Sequence, residues 1–263
     1  MLSSFKIKWL RPALRLAAVA VLASAPSARG DEALLAIAAN FTEAAVALAR
    51  DFETASGHRL ELAAGSTGKL YAQIVNGAPF DAFLAADRAR PELLEANGLG
   101  IAGSRFTYAS GRLVLWRPNS PTTAPATLDA TDATALLENV NRLAVANPDL
   151  APYGAAAFEV LDYLALTEAL RSRIVRGENV AQAYAMVASG AAEAGLVALS
   201  HVMSRDEATH WWEIPRTWHT PIRQDAILLQ RGRDNDAAVD FLDFLRTDAA
   251  RRKIAGMGFD VDS

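Results

Sequence analysis

The stretch AAGSTGKLYAQI, residues 63–74, joins an apolar run to the start of an amphipathic helix. Its small residues suit a tight turn that leads into a helix N-terminus, where backbone N–H groups have no intrahelical partner and a partial positive charge collects. Such a terminus binds anions of many kinds. Alternatively, Ser66 or Thr67 only caps the helix. This stretch by itself leaves both interpretations open.

The GSTGK core is not the phosphate-binding loop of nucleotide hydrolases, which requires G-x-x-x-x-G-K-[ST]. The residue five positions before Gly68 is Ala63, and Lys69 is followed by Leu70, which offers no hydroxyl to Mg²⁺. We expect Lys69 to be a solvated surface residue.

Short apolar runs alternate with helical patterns on both sides of this stretch. Strands are predicted at 34–39, 59–64, 80–85, 112–116, 143–146, 195–199 and 222–229, and helices at 42–56, 67–76, 91–97, 158–166, 180–188, 237–245 and 249–254. This alternation is typical of βαβ units with mainly parallel sheets. The predicted fold class is therefore α/β.

The N-terminus predicts export. Residues 1–15 hold four basic and no acidic side chains, and a short apolar run at 16–23 is followed by small residues. This is the layout of a secretory signal peptide, and we expect the mature chain to begin at Asp31. A membrane anchor is the alternative, but the run is short for a bilayer.

Composition excludes several classes of function. Five of the 26 basic residues and none of the 30 acidic residues lie within 1–30, so a chain starting at Asp31 has a formal charge of −9. That charge argues against a nucleic-acid partner. The chain has no cysteine, which excludes disulfides, thiolate metal sites and a cysteine nucleophile. It also has no G-x-S-x-G motif of a serine hydrolase.

Three strand-to-helix junctions, at 38–42, 65–68 and 146–154, carry small, hydroxyl or amide side chains. Ligands of open α/β sheets bind at the carboxyl ends of strands. Each junction alone suits a helix cap, but together they predict a small anion held by N–H and hydroxyl donors. A carboxylate facing that anion would repel it, so Asp81 and Asp87 are expected to be structural.

At this point the chain resembles the periplasmic molybdate-binding proteins of ABC-type uptake systems, over residues 34–259. The segments that carry the resemblance are AANFTEA (38–44), GSTGKLYAQI (65–74), PFDAFLAAD (79–87), ANPDLAPYGAAA (146–157), RGENVAQA (176–183), GLVALS (195–200) and GMGF (256–259). The resemblance implies a type II periplasmic binding protein with two lobes, each built on a mixed, mainly parallel sheet, and a ligand cleft between them. It places the signal peptide at 1–30, lobe 1 at 31–110 plus 223–263, and lobe 2 at 111–222.

In this family, uncharged donors at helix starts of both lobes hold the whole oxyanion. Many members place a further ligand tyrosine where this chain has Ala198, whereas a second subgroup has it in the Pro-x-Gly turn, as here. Carried over, the oxyanion-binding residues are Asn40, Ser66, Thr67, Tyr153 and the backbone N–H of Val180.

The resemblance implies a binding protein rather than an enzyme, without catalytic residues or a cofactor. It is expected to bind molybdate, and tungstate as well, in the periplasm and to deliver the anion to an ABC-transporter permease as a monomer. The alternative is another small anion, such as sulfate or a small carboxylate. Arg112, Arg117 and Arg223, near the predicted lobe crossings, keep the carboxylate alternative open.

Overall fold

A computed structural model describes residues 30–120, 128–203 and 210–261. The predicted signal peptide lies outside these residues, apart from Gly30. The strands are β1 (Glu32–Ala38), β2 (Arg59–Gly65), β3 (Ala82–Leu84), β4 (Phe106–Gly111), β5 (Leu113–Trp116), β6 (Leu143–Ala146), β7 (Ile174–Gly177), β8 (Ala194–Ala198), β9 (Trp211–Glu213) and β10 (Ile222–Leu228). The α-helices are α1 (Thr42–Ser56), α2 (Thr67–Val75), α3 (Ala89–Ala96), α4 (Ala130–Glu138), α5 (Pro152–Tyr163), α6 (Thr167–Leu170), α7 (Val180–Ala188), α8 (Leu199–Met203), α9 (Asp236–Leu245) and α10 (Asp248–Gly256). In the described part of the chain, no helix is long and apolar enough to span a membrane.

The strands form two five-stranded sheets with the same plan. The first has the order β2-β1-β3-β10-β4 and the second β7-β6-β8-β5-β9. In the first sheet, β10 is antiparallel to both of its neighbours. In the second sheet, β5 is antiparallel to both of its neighbours. All remaining pairings are parallel. Four strands of each sheet therefore run in one direction, which confirms the prediction of two mixed, mainly parallel sheets.

The chain passes between the sheets at two adjacent places. β4 of the first sheet ends at Gly111 and β5 of the second begins at Leu113, so only Arg112 separates them. The return passes through β10, whose Ile222 pairs with Gly111. The two crossing strands β4 and β10 therefore lie side by side, and the lobes are connected along this single edge.

The helices form where apolar residues recur every three or four positions. In α1 the buried positions are Ala44, Ala45, Leu48, Ala49 and Phe52, and the helix ends at a glycine with φ of 80°. Val46 of α1 and Val75 of α2 are apolar but 37% and 48% exposed, so they lie on the outer faces of their helices.

Several short elements were not predicted, namely β4, β7, β9, α4, α6 and α8. Their lengths, three to nine residues, give little periodicity to detect, and β4 (FTYASG) mixes polar and apolar residues. Each is completed by partners that are distant in sequence. For example, β9 is aligned only by its pairing with β5.

We predict opposite effects for two glycine-to-alanine substitutions. At Gly154, in the first turn of α5, an added Cβ would lie 2.5 Å from the carbonyl oxygen of Ala146, a backbone atom that has little freedom to move. Gly154→Ala should therefore lower the free energy of unfolding by about 1–3 kcal/mol. At Gly256 in α10 nothing lies within 4 Å, so Gly256→Ala should raise it by about 0.4–1 kcal/mol.

Urea unfolding of both variants beside the wild type measures these changes. Destabilisation by Gly256→Ala, or no effect of Gly154→Ala, would contradict the packing described for α5 and α10.

Candidate functional site

Four chain turns meet between the two sheets. β1 is followed by a 3₁₀ turn at Ala39–Phe41, and β2 ends at Gly65, directly before α2. On the other side, β6 leads through a short loop into α5, and β7 leads into α7. The carboxyl ends of these parallel strands face one another across the lobes, as expected for a ligand site in open α/β sheets.

These turns line a small, partly open cavity. All five sequence-predicted site residues line it. The lining residues are Ala38, Ala39, Asn40, Gly65, Ser66, Thr67, Ala86, Ala151, Pro152, Tyr153, Asn179 and Val180. Ala198, where many members of the family have a tyrosine, is not among them.

Ser66 is the most informative residue of this lining. It is 1% exposed, and its Oγ has no hydrogen-bond partner among the described residues. It precedes α2 at the N-cap position but makes no side-chain capping bond, so the interpretation of Ser66 as a simple cap is wrong. A buried hydroxyl without a partner costs about 1–3 kcal/mol, which makes this oxygen a candidate ligand-binding group.

Thr67 has a partner on its own lobe, because its Oγ1 accepts the backbone N–H of Ala86 at 3.2 Å. Its hydroxyl hydrogen is still available for donation. Val180 is the first residue of α7, where Asn179 caps the helix by accepting the N–H of Gln182 at 3.0 Å. The N–H of Val180 lies in the first turn and has no intrahelical acceptor.

Asn40 and Tyr153 approach the cavity from opposite lobes. The Nδ2 of Asn40 donates to Oε1 of Gln224 at 2.9 Å. Burial raises the pKa of the Tyr153 hydroxyl, although the amides of Asn40 and Gln224 and the N–H of Arg112 oppose that rise. The Tyr153 side chain is therefore a neutral hydrogen-bond donor at physiological pH.

No charged side chain lines the cavity in the described parts of the chain. Asp81 accepts the N–H of Leu34 at 2.8 Å and pairs with Arg231 at 2.6 Å, at the opposite end of β3. Asp87 pairs with Arg90. Both carboxylates thus have structural partners, as the sequence indicated.

Three arginines were the reason to consider a carboxylate as the ligand, and none of them lines the cavity. Arg112 pairs with Glu213, and Arg117 donates to the carbonyl of Leu136. Arg223 lines a separate, larger groove that meets the cavity at Ala86 and Pro152. In addition, the described residues contain no group of three histidines or carboxylates that could hold a bare metal ion.

Contacts between the lobes surround the cavity. The N–H of Gly68 donates to the carbonyl of Leu150 at 2.8 Å. Lys69 Nζ lies 3.2 Å from a carboxylate oxygen of Glu178 in lobe 2. Lys69 is half exposed, as expected of a surface lysine, but the prediction missed this partner across the cleft.

Further contacts between the lobes come from α8. Ser200 Oγ donates to the carbonyl of Asn40 at 3.0 Å, and Nε2 of His201 lies 3.3 Å from the carbonyl of Ala39. Burial lowers the pKa of His201 to about 4, so the ring is neutral at physiological pH. These contacts occupy carbonyl oxygens next to the cavity.

The five residues expected from the resemblance line the cavity, but the residues behind it were not predicted. Gln224, Tyr108, Ser200 and His201 were not singled out. The one available signal was the polar pair Gln224–Asp225 within the apolar strand β10, where both residues are almost fully buried.

The comparisons with known proteins agree on one family. The model for "Bacterial extracellular solute-binding protein" matches residues 33–260. The molybdate-binding protein ModA of Azotobacter vinelandii is 45% identical over 235 residues, which is 89% of this chain and 91% of that protein. ModA of Rhodobacter capsulatus is 41% identical over 234 residues, which is 89% of this chain and 90% of that protein.

A solved structure is similar over the same extent. The periplasmic molybdate-binding protein of Azotobacter vinelandii aligns with a TM-score of 0.80 at 34% identity, covering 88% of this chain and 100% of that one. The chain belongs to the bacterial extracellular solute-binding proteins and, within them, to the family of the ModA proteins.

Proposed function

We propose that this protein binds molybdate as a whole oxyanion in the periplasm and delivers it to the permease of an ABC transporter. The observation that carries the proposal is the uncharged cavity between the lobes, with the unpaired Ser66 hydroxyl in its wall. The relatives of this chain are solute-binding proteins rather than enzymes. We therefore assign no catalytic residue and no cofactor.

The donors of the cavity suit a tetrahedral dianion without a proton, because such an anion offers only acceptors. We propose the side chains of Asn40, Ser66, Thr67 and Tyr153 and the N–H of Val180 as its ligands. Hydrogen bonds to a charged group contribute roughly 1.5–3 kcal/mol each, and a helix N-terminus about 0.3–1 kcal/mol. Several such donors can support sub-micromolar affinity after the costs of ordering and closure.

Because the donors belong to two lobes, the anion favours the closed form over the open one. We propose lobe boundaries at 110/111 and 222/223, where the crossing strands allow the lobes to rotate, and a permease that recognises the closed form. Tungstate is proposed as a second ligand, since it is also a tetrahedral dianion. A cleavable signal peptide at 1–30 and a monomeric state complete the proposal.

Other anions fit the cavity less well. A phosphate that keeps a proton needs an acceptor, which a wall of donors does not offer. A small carboxylate would favour an arginine, and the described lining contains none. Sulfate has the right charge but is smaller, so the size of the cavity must exclude it.

Thermal unfolding with a panel of anions tests this function. At a concentration 100 times its dissociation constant, a ligand stabilises the folded state by about 2.7 kcal/mol, which is roughly 5–10 °C for a chain of this size. We expect that shift with molybdate and tungstate, and none with sulfate, phosphate or citrate. A shift with sulfate or citrate alone would identify that anion, instead of molybdate, as the ligand. No shift with any anion would refute the function.

Ser66→Ala should weaken molybdate binding by about ten- to a hundredfold, because one hydrogen bond to the anion is lost. The thermal midpoint without ligand should stay constant or rise, since the variant removes a buried hydroxyl that has no partner. Isothermal titration measures the affinity. Ser189→Ala, at an exposed serine after α7, is the control and should bind like the wild type. Unchanged affinity of the Ser66 variant would exclude this hydroxyl as a ligand.

Lys69→Met should weaken molybdate binding only two- to fivefold, because exposed ion pairs contribute about 0.2–1 kcal/mol. Both side chains of the Lys69–Glu178 pair are partly exposed, at 54% and 36%. Glu178→Gln should have a similar effect, and the double variant should lose little more. A loss of a hundredfold in Lys69→Met alone would instead make the lysine a direct ligand of the anion.

A further inference from the structure

A buried polar cluster joins two residues of the cavity wall to two residues of the crossing strands β4 and β10. Its members are Asn40, Tyr108, Tyr153 and Gln224, which we call the crossing cluster. They are 3%, 3%, 1% and 0% exposed, respectively. Most buried polar groups have a hydrogen-bond partner, but in this cluster the Nε2 of Gln224 has none among the described residues. The pattern of the other bonds shows how the cluster is held.

Gln224 is the centre of this pattern. Its Oε1 accepts from Asn40 Nδ2 at 2.9 Å and from the Tyr108 hydroxyl at 3.0 Å. An amide oxygen has two lone pairs, so these two donors use its full capacity. The Tyr108 hydroxyl also lies 3.1 Å from the carbonyl of Ala85, and its single hydrogen is shared between the two acceptors.

The nitrogen of the Gln224 amide, Nε2, lies on the side of the second lobe. A Cβ added at Gly111 would lie 2.2 Å from the Tyr153 hydroxyl and 2.9 Å from Gln224 Nε2. Both groups therefore pack against the same glycine at the end of β4. Gln224 thus lies between one cavity residue of each lobe, Asn40 and Tyr153.

The pairing of β10 with β4 is irregular beside Gln224. Gln224 pairs with Ala109 and Asp225 with Thr107, so Tyr108 of β4 is the extra residue at this register shift. Such irregularities are common beside functional sites. Gln224 and Asp225 are both buried, and Asp225 pairs with Arg105 at 2.8 Å on the first lobe.

We propose that Gln224 is a positioning residue for the anion site. Its oxygen holds the Asn40 amide and its nitrogen faces the Tyr153 hydroxyl, so it aligns a donor from each lobe on the same cavity. Because both lone pairs of its oxygen are used, the Gln224 oxygen is not available to accept a hydrogen bond from a protonated anion. This inference rests on the proposed function, since it concerns the same cavity.

Two substitutions of Gln224 test the proposal by isothermal titration with sodium molybdate. Gln224→Met keeps the length of the side chain but removes both polar ends, and it should weaken binding about ten- to a hundredfold, as loss of a supporting hydrogen bond does at other ion sites. Gln224→Glu keeps an oxygen that can accept from Asn40 and Tyr108, but it adds a negative charge and removes the amide donor.

The Gln224→Glu variant should show a new pH dependence. A buried carboxyl near an anion has a raised pKa, and its neutral form resembles the amide. Its affinity should therefore be far below that of the wild type at pH 8 and approach it towards pH 6. The wild type, titrated in parallel, reports any contribution of the groups that face the cluster or lie beside it, namely Asp87, Asp225, Asp260 and His201.

Two tyrosine-to-phenylalanine substitutions distinguish an effect on the anion site from an effect on the stability of the fold. Tyr108→Phe should weaken binding severalfold, because Gln224 loses one of its two donors. Tyr163→Phe is the matched control, since Tyr163 is 57% exposed and stacks on Trp218 away from the cavity. Thermal midpoints without ligand are measured for every variant, and only folded variants enter the comparison.

The outcomes separate this inference from the proposed function. If the wild type binds molybdate and Gln224→Met and Tyr108→Phe bind equally well, the inference is refuted and the function stands. If Gln224→Glu loses affinity equally at pH 6 and pH 8, Gln224 has no positioning role that its isostere can restore, and the inference again fails. If the wild type binds none of the anions, both fail together.

Discussion

The proposed function places one constraint on the structure, which is that a doubly charged anion has to be bound in a cavity without a neutralising side chain. Burial of an ion costs many kcal/mol unless fixed dipoles replace the lost water. Side-chain and backbone donors do this only when several of them point at the same place. The cavity lined by Ser66, Tyr153 and Val180 offers helix starts and short polar side chains that would meet that demand under the proposed function.

This demand explains the duplicated architecture. A single parallel sheet brings adjacent strand ends together on one side of a ligand, whereas two lobes bring them together from both sides. One reversed strand in each sheet, β5 and β10, begins at the edge where the lobes meet and runs away from it. The crossing strands β4 and β10 lie side by side at this edge, so the residues that connect the lobes also lie close to the proposed site.

Much of the fold and the strand-to-helix junctions at the cavity could be predicted from local signals, whereas the individual lining residues were expected from the family resemblance. The spacing of apolar residues in α1 and the turn at Gly65 each depend on a few neighbouring residues. The support behind the cavity is different, since Asn40 and Gln224 are 184 residues apart. Their contact depends on a β-bulge and a return crossing that no short window of sequence displays. The Lys69–Glu178 pair was missed for the same reason.

The contacts between the lobes are weak enough to fit the proposed closure, in which the lobes close only when the anion is bound. Ion pairs at the rim, such as Lys69–Glu178, are partly exposed and contribute little, so they hold the lobes together only weakly. The Ser66 hydroxyl, in contrast, is buried without a partner among the described residues, which costs free energy as long as the cavity is empty. Under the proposed function, an anion that accepts this hydrogen bond removes the penalty and adds its own contacts to both lobes. The proposed closure would then depend on the anion, because stronger ion pairs between the lobes would let the empty protein close as well and the permease would lose the signal.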